Sequence, residues 1–200
     1  MHGLVNRAIE RFVRDTYGRD VWIGTIQRLN LGLTEFEAMM TYEPDTTEQV
    51  LTAVGTRLAR GRDELLEDIG TYLVSHPATE GLRRLLRFGG VDYVDFLHSL
   101  DDLPERARLA VADLELPTLA LQDRGGGHYQ VHIDLPKDHD LRLGPVVVGL
   151  LRAMADDYGA LALVEHLGDA VGHEIIEVRV LEEGFADGRA FVLGAAGGVR

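Results

Sequence analysis

The hydrophobic period of this chain changes at Pro117, and that change limits the possible folds more than any other feature. Before it, apolar residues recur at three- and four-residue steps; after it, they alternate. Leu4, Val5, Ala8, Ile9, Phe12 and Val13 make one helical stripe, with Arg7, Glu10, Arg11 and Arg14 on the other face. Tyr17-Gly18 stops it, because glycine tolerates the left-handed conformation past a last turn. A second helix is predicted over 20–29, a short one from Thr34 to Met40, and another from Thr46/Thr47 with Val50, Leu51, Val54 and Leu58 inward. Leu65, Leu66, Ile69, Leu73 and Val74 form the next stripe, ended by His76-Pro77. Leu82, Leu85, Leu86 and Phe88 follow up to Gly89-Gly90, and residues 91–100 read as a short apolar-rich helix.

Asp102-Leu103-Pro104-Glu105 is a start signal for one more helix. Asp102 is placed to cap, Glu105 to bond back, and proline in the first turn gives up no internal hydrogen bond. Beyond Pro117, residues 118–121 and 129–135 read as a hairpin around Gly125-Gly126-Gly127. Residues 143–158 read as a helix with Pro145 in its first turn, and 161–166 and 174–181 as two more strands. In the last of these Ile176, Val178 and Val180 alternate with Glu177 and Arg179. The fold class is therefore α+β: an N-terminal helical subdomain followed by a small antiparallel sheet with one long helix. One domain is expected over 1–182, with a helical part at 1–60 and helices plus sheet at 61–182. Residues 183–200 are glycine-rich and read as a tail, a linker or an extra strand at 189–193.

Two hundred residues with 46% apolar content suffice for a real core, and no apolar run is long enough to span a membrane. The opening residues lack a basic segment followed by an apolar one, so a cytoplasmic protein is expected. Without cysteine there is no disulfide, thiolate haem ligand or iron–sulfur cluster. The net charge of −13 argues against a nucleic-acid partner. No phosphate-binding loop is present, since the triple glycine joins strands, and Ser75 and Ser99 lack a nucleophile-elbow context. An enzyme is not expected.

Met1-His2-Gly3-Leu4-Val5-Asn6, Asp15-Thr16-Tyr17-Gly18 followed by Val21-Trp22, Phe96-Leu97 before Leu100-Asp101, Pro117, and Val146-Val147-Val148-Gly149-Leu150-Leu151 occur in this order. Together they resemble the H-NOX (haem-nitric oxide/oxygen binding) family of gas-sensing domains, over roughly residues 1–182. The resemblance implies the H-NOX fold and a non-enzymatic sensory role, in which the helical part shifts against the sheet and signals to a partner such as a kinase or cyclase. It also implies a haem site, and there the chain departs from the pattern. The family's iron-binding histidine follows a Leu-Asp-x-Leu stretch; here Leu100-Asp101-Asp102-Leu103 is followed by Pro104, which has no metal donor. The family's Tyr-x-Ser-x-Arg motif clamps the haem propionates. Its positions fall on Ile133, Leu135 and Lys137 or, slid along, on Pro136, Asp138 and Asp140. Iron ligation and propionate anchoring have gone together.

No cofactor is therefore expected, haem being disfavoured. An empty void of several hundred Å³, at roughly 24 cal/mol per Å³, costs on the order of 10 kcal/mol, close to the whole stability of a domain. Side chains must fill the site, or a small apolar ligand such as a fatty acid must. The candidate ligand-pocket residues are Phe96, Leu100, Pro104, Pro117, Ile133, Leu135 and Lys137, with Lys137 or Arg83-Arg84 as a cation for a ligand headgroup. A protein-interaction module with a collapsed pocket is the companion reading. The alternative is a haem sensor with a substitute iron ligand, His98 first, although six residues from Pro104 is about 9 Å along a helix. His128 and His132 share a strand face with Asp134, an arrangement more often found on an ordinary exposed strand than in a metal site; no metal is expected. His139 reads as solvated. Met39, Met40 and the aromatics Phe12, Trp22, Phe36, Tyr72, Phe88, Tyr93 and Phe96 are expected in the core.

Overall fold

A computed structural model describes residues 1–135, 142–170 and 172–191. Seven helices come first: α1 (Gly3–Tyr17), α2 (Arg19–Leu29), α3 (Pro44–Leu58), α4 (Arg62–Ser75), α5 (Glu80–Arg87), α6 (Tyr93–His98) and α7 (Leu103–Ala110). Strands β1 (Thr118–Gly125) and β2 (His128–Asp134), helix α8 (Gly144–Tyr158), and strands β3 (Leu161–Ala170) and β4 (His173–Glu182) follow. The change of period at Pro117 is thus the change from helix to sheet, and the fold is α+β. No described helix is long and apolar enough to cross a membrane.

The helix predicted from Thr34 to Met40 does not form. Side chains claim its backbone instead: Trp22 Nε1 donates to the Thr34 carbonyl at 2.8 Å, and the Phe36 amide donates to Glu10 at 2.8 Å. Arg7 donates to the Phe36 carbonyl at 3.0 Å. Glu10 accordingly points inward with no exposed surface, not outward with the arginines, and accepts from Arg14 at 2.7 Å. Met39, Met40 and Phe88 also depart from expectation. They are exposed, at 69%, 55% and 70%, while the other predicted core aromatics are buried.

The sheet is antiparallel throughout, in the order β1-β2-β4-β3. Gly125, Gly126 and Gly127 all take positive φ in the β1–β2 turn, which is why three glycines stand there. Leu119, Val131, Ile133, Val164, Ile176 and Val178 form the inner face and share one apolar cluster with Val148, Leu151 and Met154 of α8. A second cluster holds Ile9, Phe12, Trp22, Phe36, Val50 and Val54, and it reaches past residue 60 to Leu65, Ile69 and Tyr72 of α4. Helices α4 and α8 join the two clusters. A Cβ on Gly70 would overlap the Val146 carbonyl, and one on Gly149 the Glu67 carbonyl, so the two helices meet backbone to backbone.

Past β4 the chain forms no further strand among the described residues, and 192–193 of the extra strand expected at 189–193 lie outside them. It returns to the end of α8, where the Ala186 amide donates to the Gly159 carbonyl at 3.0 Å and that of Arg189 to Asp157 at 2.9 Å.

Candidate functional site

The segment that carries Pro104 is a helix, a tight turn and a helix. Asp92 caps α6 by accepting from the Asp95 amide at 2.8 Å, and the chain then passes through a 3-10 turn at Leu100–Asp102 directly into α7. Because that turn runs on without a break, Asp102 has helical φ and ψ of −85° and −10°, and its side chain makes no cap. The capping expected of Asp102 is therefore absent, while Pro104 does stand in the first turn as expected. Asp101 instead ties the turn to the sheet, accepting from the Leu121 amide at 2.8 Å. Arg106 braces it from below, donating to the Ser99 carbonyl at 2.8 Å.

Phe96, Leu100 and Ile133 are brought into a single apolar cluster with Leu97, Leu119, Val148 and Leu151, and Leu103 packs against it. Pro104 and Pro117 are buried, and Leu135 is half-buried with its amide bonded to the Gly172 carbonyl at 3.0 Å. Lys137, Pro136, Asp138, His139 and Asp140 lie outside the described residues. Phe96 and Ile133 have 0% exposed surface and Leu100 has 1%. A side chain facing a void wide enough for water would show surface to it, whether or not the void opened outward. These three are enclosed by neighbouring atoms. An open groove of about 380 Å³ does lie elsewhere, between α1 and α4, lined by Phe12, Tyr17, Arg60, Asp68, Tyr72 and His76. It contains none of the predicted site residues.

His98 is exposed at the end of α6, its ring edge-on to Tyr129 with centroids 5.9 Å apart. Arg83 is not available as a ligand cation. It is 3% exposed and donates to Asp157 at 2.7 Å, while Arg84 sits 3.5 Å from Glu80. Burial works against the Arg83 charge, but the hydrogen bond and charge of Asp157 prevail and hold its pKa above the ordinary arginine value. Asp157 also faces Arg87 and Arg189, both at 3.7 Å, and the Arg87 guanidinium lies 3.9 Å from the centre of the Tyr158 ring.

Sequence reasoning missed Glu174. It is 1% exposed and accepts from the Leu143 and Gly144 amides at 3.0 Å, at the N-terminus of α8, and its other oxygen lies 3.1 Å from His166 Nε2. The signal was present: parity along β4 puts residue 174 on the same face as Ile176 and Val178. A helix N-terminus is a ready seat for an anion. Here the chain's own carboxylate takes it.

Pro104 has no metal donor, so the position that the family's pattern gives to its histidine does not fit a haem held from this helix. The fold and the sequence do match haem proteins. The family model described as Haem-NO-binding matches residues 2–166. Soluble guanylate cyclase gcy-34 of Caenorhabditis elegans is 26% identical over 135 residues, 66% of this chain and 20% of that protein. Soluble guanylate cyclase 89Da of Drosophila melanogaster is 20% identical over 121 residues, 60% of this chain and 18% of that protein. The chain thus spans about a fifth of the length of these curated relatives. Among solved structures, an H-NOX protein from S. oneidensis in the Fe(II) state superposes with a TM-score of 0.76 at 16% identity, covering 92% of this chain and 97% of that one. The unliganded Fe(II) H-NOX protein from K. algicida gives 0.75 at 15% identity, covering 94% and 100%.

Proposed function

The chain belongs to the haem-NO-binding family, and from that premise we propose that it is a sensory and signalling domain that works without haem in the family's usual place. One observation carries the reading. Where the family's pattern calls for an iron-binding histidine the chain has buried Pro104, and the neighbouring Phe96, Leu100 and Ile133 are enclosed on all sides. Of the two ways to avoid an empty cavity, this supports filling by side chains over filling by a fatty acid. Ile133, at a propionate-clamping position in one of the two registers, adds apolar surface to the fill rather than a headgroup site. The domain then acts through protein contacts, with a partner of the kinase or cyclase kind.

The geometry supports a route for such a signal. Helix α8 touches both lobes, and buried carboxylates fix both its ends: Glu174 at its N-terminus and Asp157 near its C-terminus. The chain after β4 is held to that second end through Asp157 and Gly159. A shift of α8 against α4 would therefore move the segment that leaves the domain.

The test is an absorption spectrum of the protein expressed with excess haem, for the native chain and for Pro104→His. No Soret band is expected from either: the native chain lacks both ligand and space, and Pro104→His restores the ligand alone. A band in Pro104→His alone would show that the cavity reopens and would refute the filled-core part. A gas-responsive band in the native chain that vanishes in His98→Ala would replace the proposal with a substituted haem sensor. Extraction and mass spectrometry should recover no stoichiometric lipid; recovery of one would restore the apolar-ligand reading.

A further inference from the structure

The outer face of the sheet carries a histidine pair that the signalling role does not use. His132 on β2 and His173 on β4 both point away from the core, His173 opposite Asp134 in the register. Their facing nitrogens, His132 Nδ1 and His173 Nε2, are 3.2 Å apart, with ring centroids 5.3 Å apart and ring planes inclined by 30°.

What lies behind each ring decides what lies between them. His173 Nδ1 is 2.7 Å from Asp134 Oδ1, and a carboxylate only accepts, so that nitrogen carries its proton. His132 Nε2 is 3.3 Å from Gln122 Oε1, an acceptor as placed, so that nitrogen carries its proton too. In the neutral imidazoles the two inner nitrogens are then both lone pairs, aimed at each other. A proton that turns one ring into an imidazolium donor satisfies them in acid, and with both rings neutral a metal cation does.

We propose that His132 and His173 chelate a borderline divalent cation of the zinc or nickel class, with Asp134 and Gln122 as the outer partners that fix the ring tautomers. The separation suits it. Two nitrogens at zinc–nitrogen distances of about 2.0–2.1 Å on a tetrahedral ion stand about 3.3 Å apart, against the 3.2 Å found. A carboxylate behind a ligating histidine is the usual outer arrangement of such sites. No group of three or more histidine, aspartate or glutamate side chains placed to hold a metal exists among the described residues. Among the described residues the site therefore has two protein ligands, and water completes it. The net charge of −13 favours cation approach.

The experiment is a zinc titration of the full chain by calorimetry, with imidazole nitrogen shifts followed by NMR. One equivalent is expected to bind and to be removed by a chelator. His132→Ala and His173→Ala should each weaken it at least tenfold, and Asp134→Asn about tenfold, while His98→Ala and His128→Ala leave it unchanged. All five side chains reach solvent, and thermal melts would confirm that each variant is folded. Absence of one-equivalent binding would overturn the proposal, as would undiminished binding in the His132→Ala/His173→Ala double variant. So would nitrogen shifts showing His132 Nδ1 protonated at saturating zinc, since Gln122 turned over would then satisfy the pair without a metal.

Discussion

The helical lobe and the sheet lobe both bury carboxylates, but they use them for different ends. In the helical lobe Glu10 sits mid-helix in α1 and holds an irregular segment, through the Phe36 amide at 2.8 Å and Arg14 at 2.7 Å. An uncharged neighbour, Asn6, ties α1 to α3 by accepting from Thr47 at 2.7 Å. In the sheet lobe the packed interior between sheet and α8 is apolar, and the buried carboxylates stand at the two ends of α8. Buried charge in the first lobe replaces missing secondary structure; in the second it anchors a helix that is already regular. The first use fixes a loop in place. The second fixes the two ends of α8, whose middle packs on apolar side chains and accepts one buried hydrogen bond, from Tyr93 to the Leu151 carbonyl at 3.1 Å.

The largest expected effect comes from joining the lobes wrongly. Gly149→Val puts two methyl groups where the Glu67 carbonyl already lies, and nothing flexible is there to give way. Backbone overlap of this kind should cost about 4 kcal/mol or more, against total stabilities of about 5–15 kcal/mol. The comparison predicts how it fails: the α4–α8 contact opens, and a single calorimetric transition becomes two. One lowered transition would mean that the lobes cannot fold apart.

Next are the buried carboxylates themselves. Glu10→Ala leaves the Phe36 amide unpaired while Arg14 and Arg7 keep Glu35, and an unsatisfied buried donor costs about 1–3 kcal/mol. Hydrogen exchange should rise first over 31–43, where the irregular backbone depends on it. Asp157→Ala leaves buried Arg83 with Glu80 as its remaining carboxylate, a loss of about 3 kcal/mol, but exchange should rise over 184–191 and α5 instead. Pairing Asp157→Leu with Arg83→Leu should recover part of that loss, because the desolvated charge goes too. Recovery would separate an anchor from a stability device. If Asp157→Ala also loosened 31–43, the division of roles between the lobes would be wrong.

How much of this could be read beforehand follows the same division. The sheet lobe was legible because its interior is nearly all apolar: Ile176, Val178, Val131 and Ile133 announce their face by alternation alone. The helical lobe was legible only where helices are regular. Glu10 read as solvent-facing, and Thr34 to Met40 as helix, for one reason: local pattern cannot register a carboxylate that bonds an amide 26 residues away. Asp102 failed as a cap because the 3-10 turn before it is set by Asp101 reaching β1. Resemblance alone assigned Pro104 to the family's histidine position, and the burial around it was not legible, since enclosure depends on Val148 and Leu151 arriving from far along the chain. The partnership of His132 with His173 was hidden in the same way, by 41 residues.

The smallest expected effect is alkaline loss of stability, and it should be uneven. Burial raises the phenol pKa of Tyr93, Tyr129 and Tyr158 in the sheet lobe, Tyr158 to about 12. In the helical lobe the raised group is Tyr72, through burial first and then its hydrogen bond to Asp15. The sign follows from linkage: a group with a raised folded pKa holds its proton more tightly folded than unfolded. Its contribution is complete below the unfolded value near 10 and is lost as pH climbs toward the folded one, for Tyr158 between about 10 and 12. Three such groups against one predict that exchange protection fades faster in the sheet strands than in α1 and α3 as pH rises through that window. Tyr158→Phe should flatten part of the slope, since it keeps the ring under Arg87 and loses a single bond to the Gly90 carbonyl. Equal fading in both lobes would show instead that the alkaline transition begins at the α4–α8 contact they share.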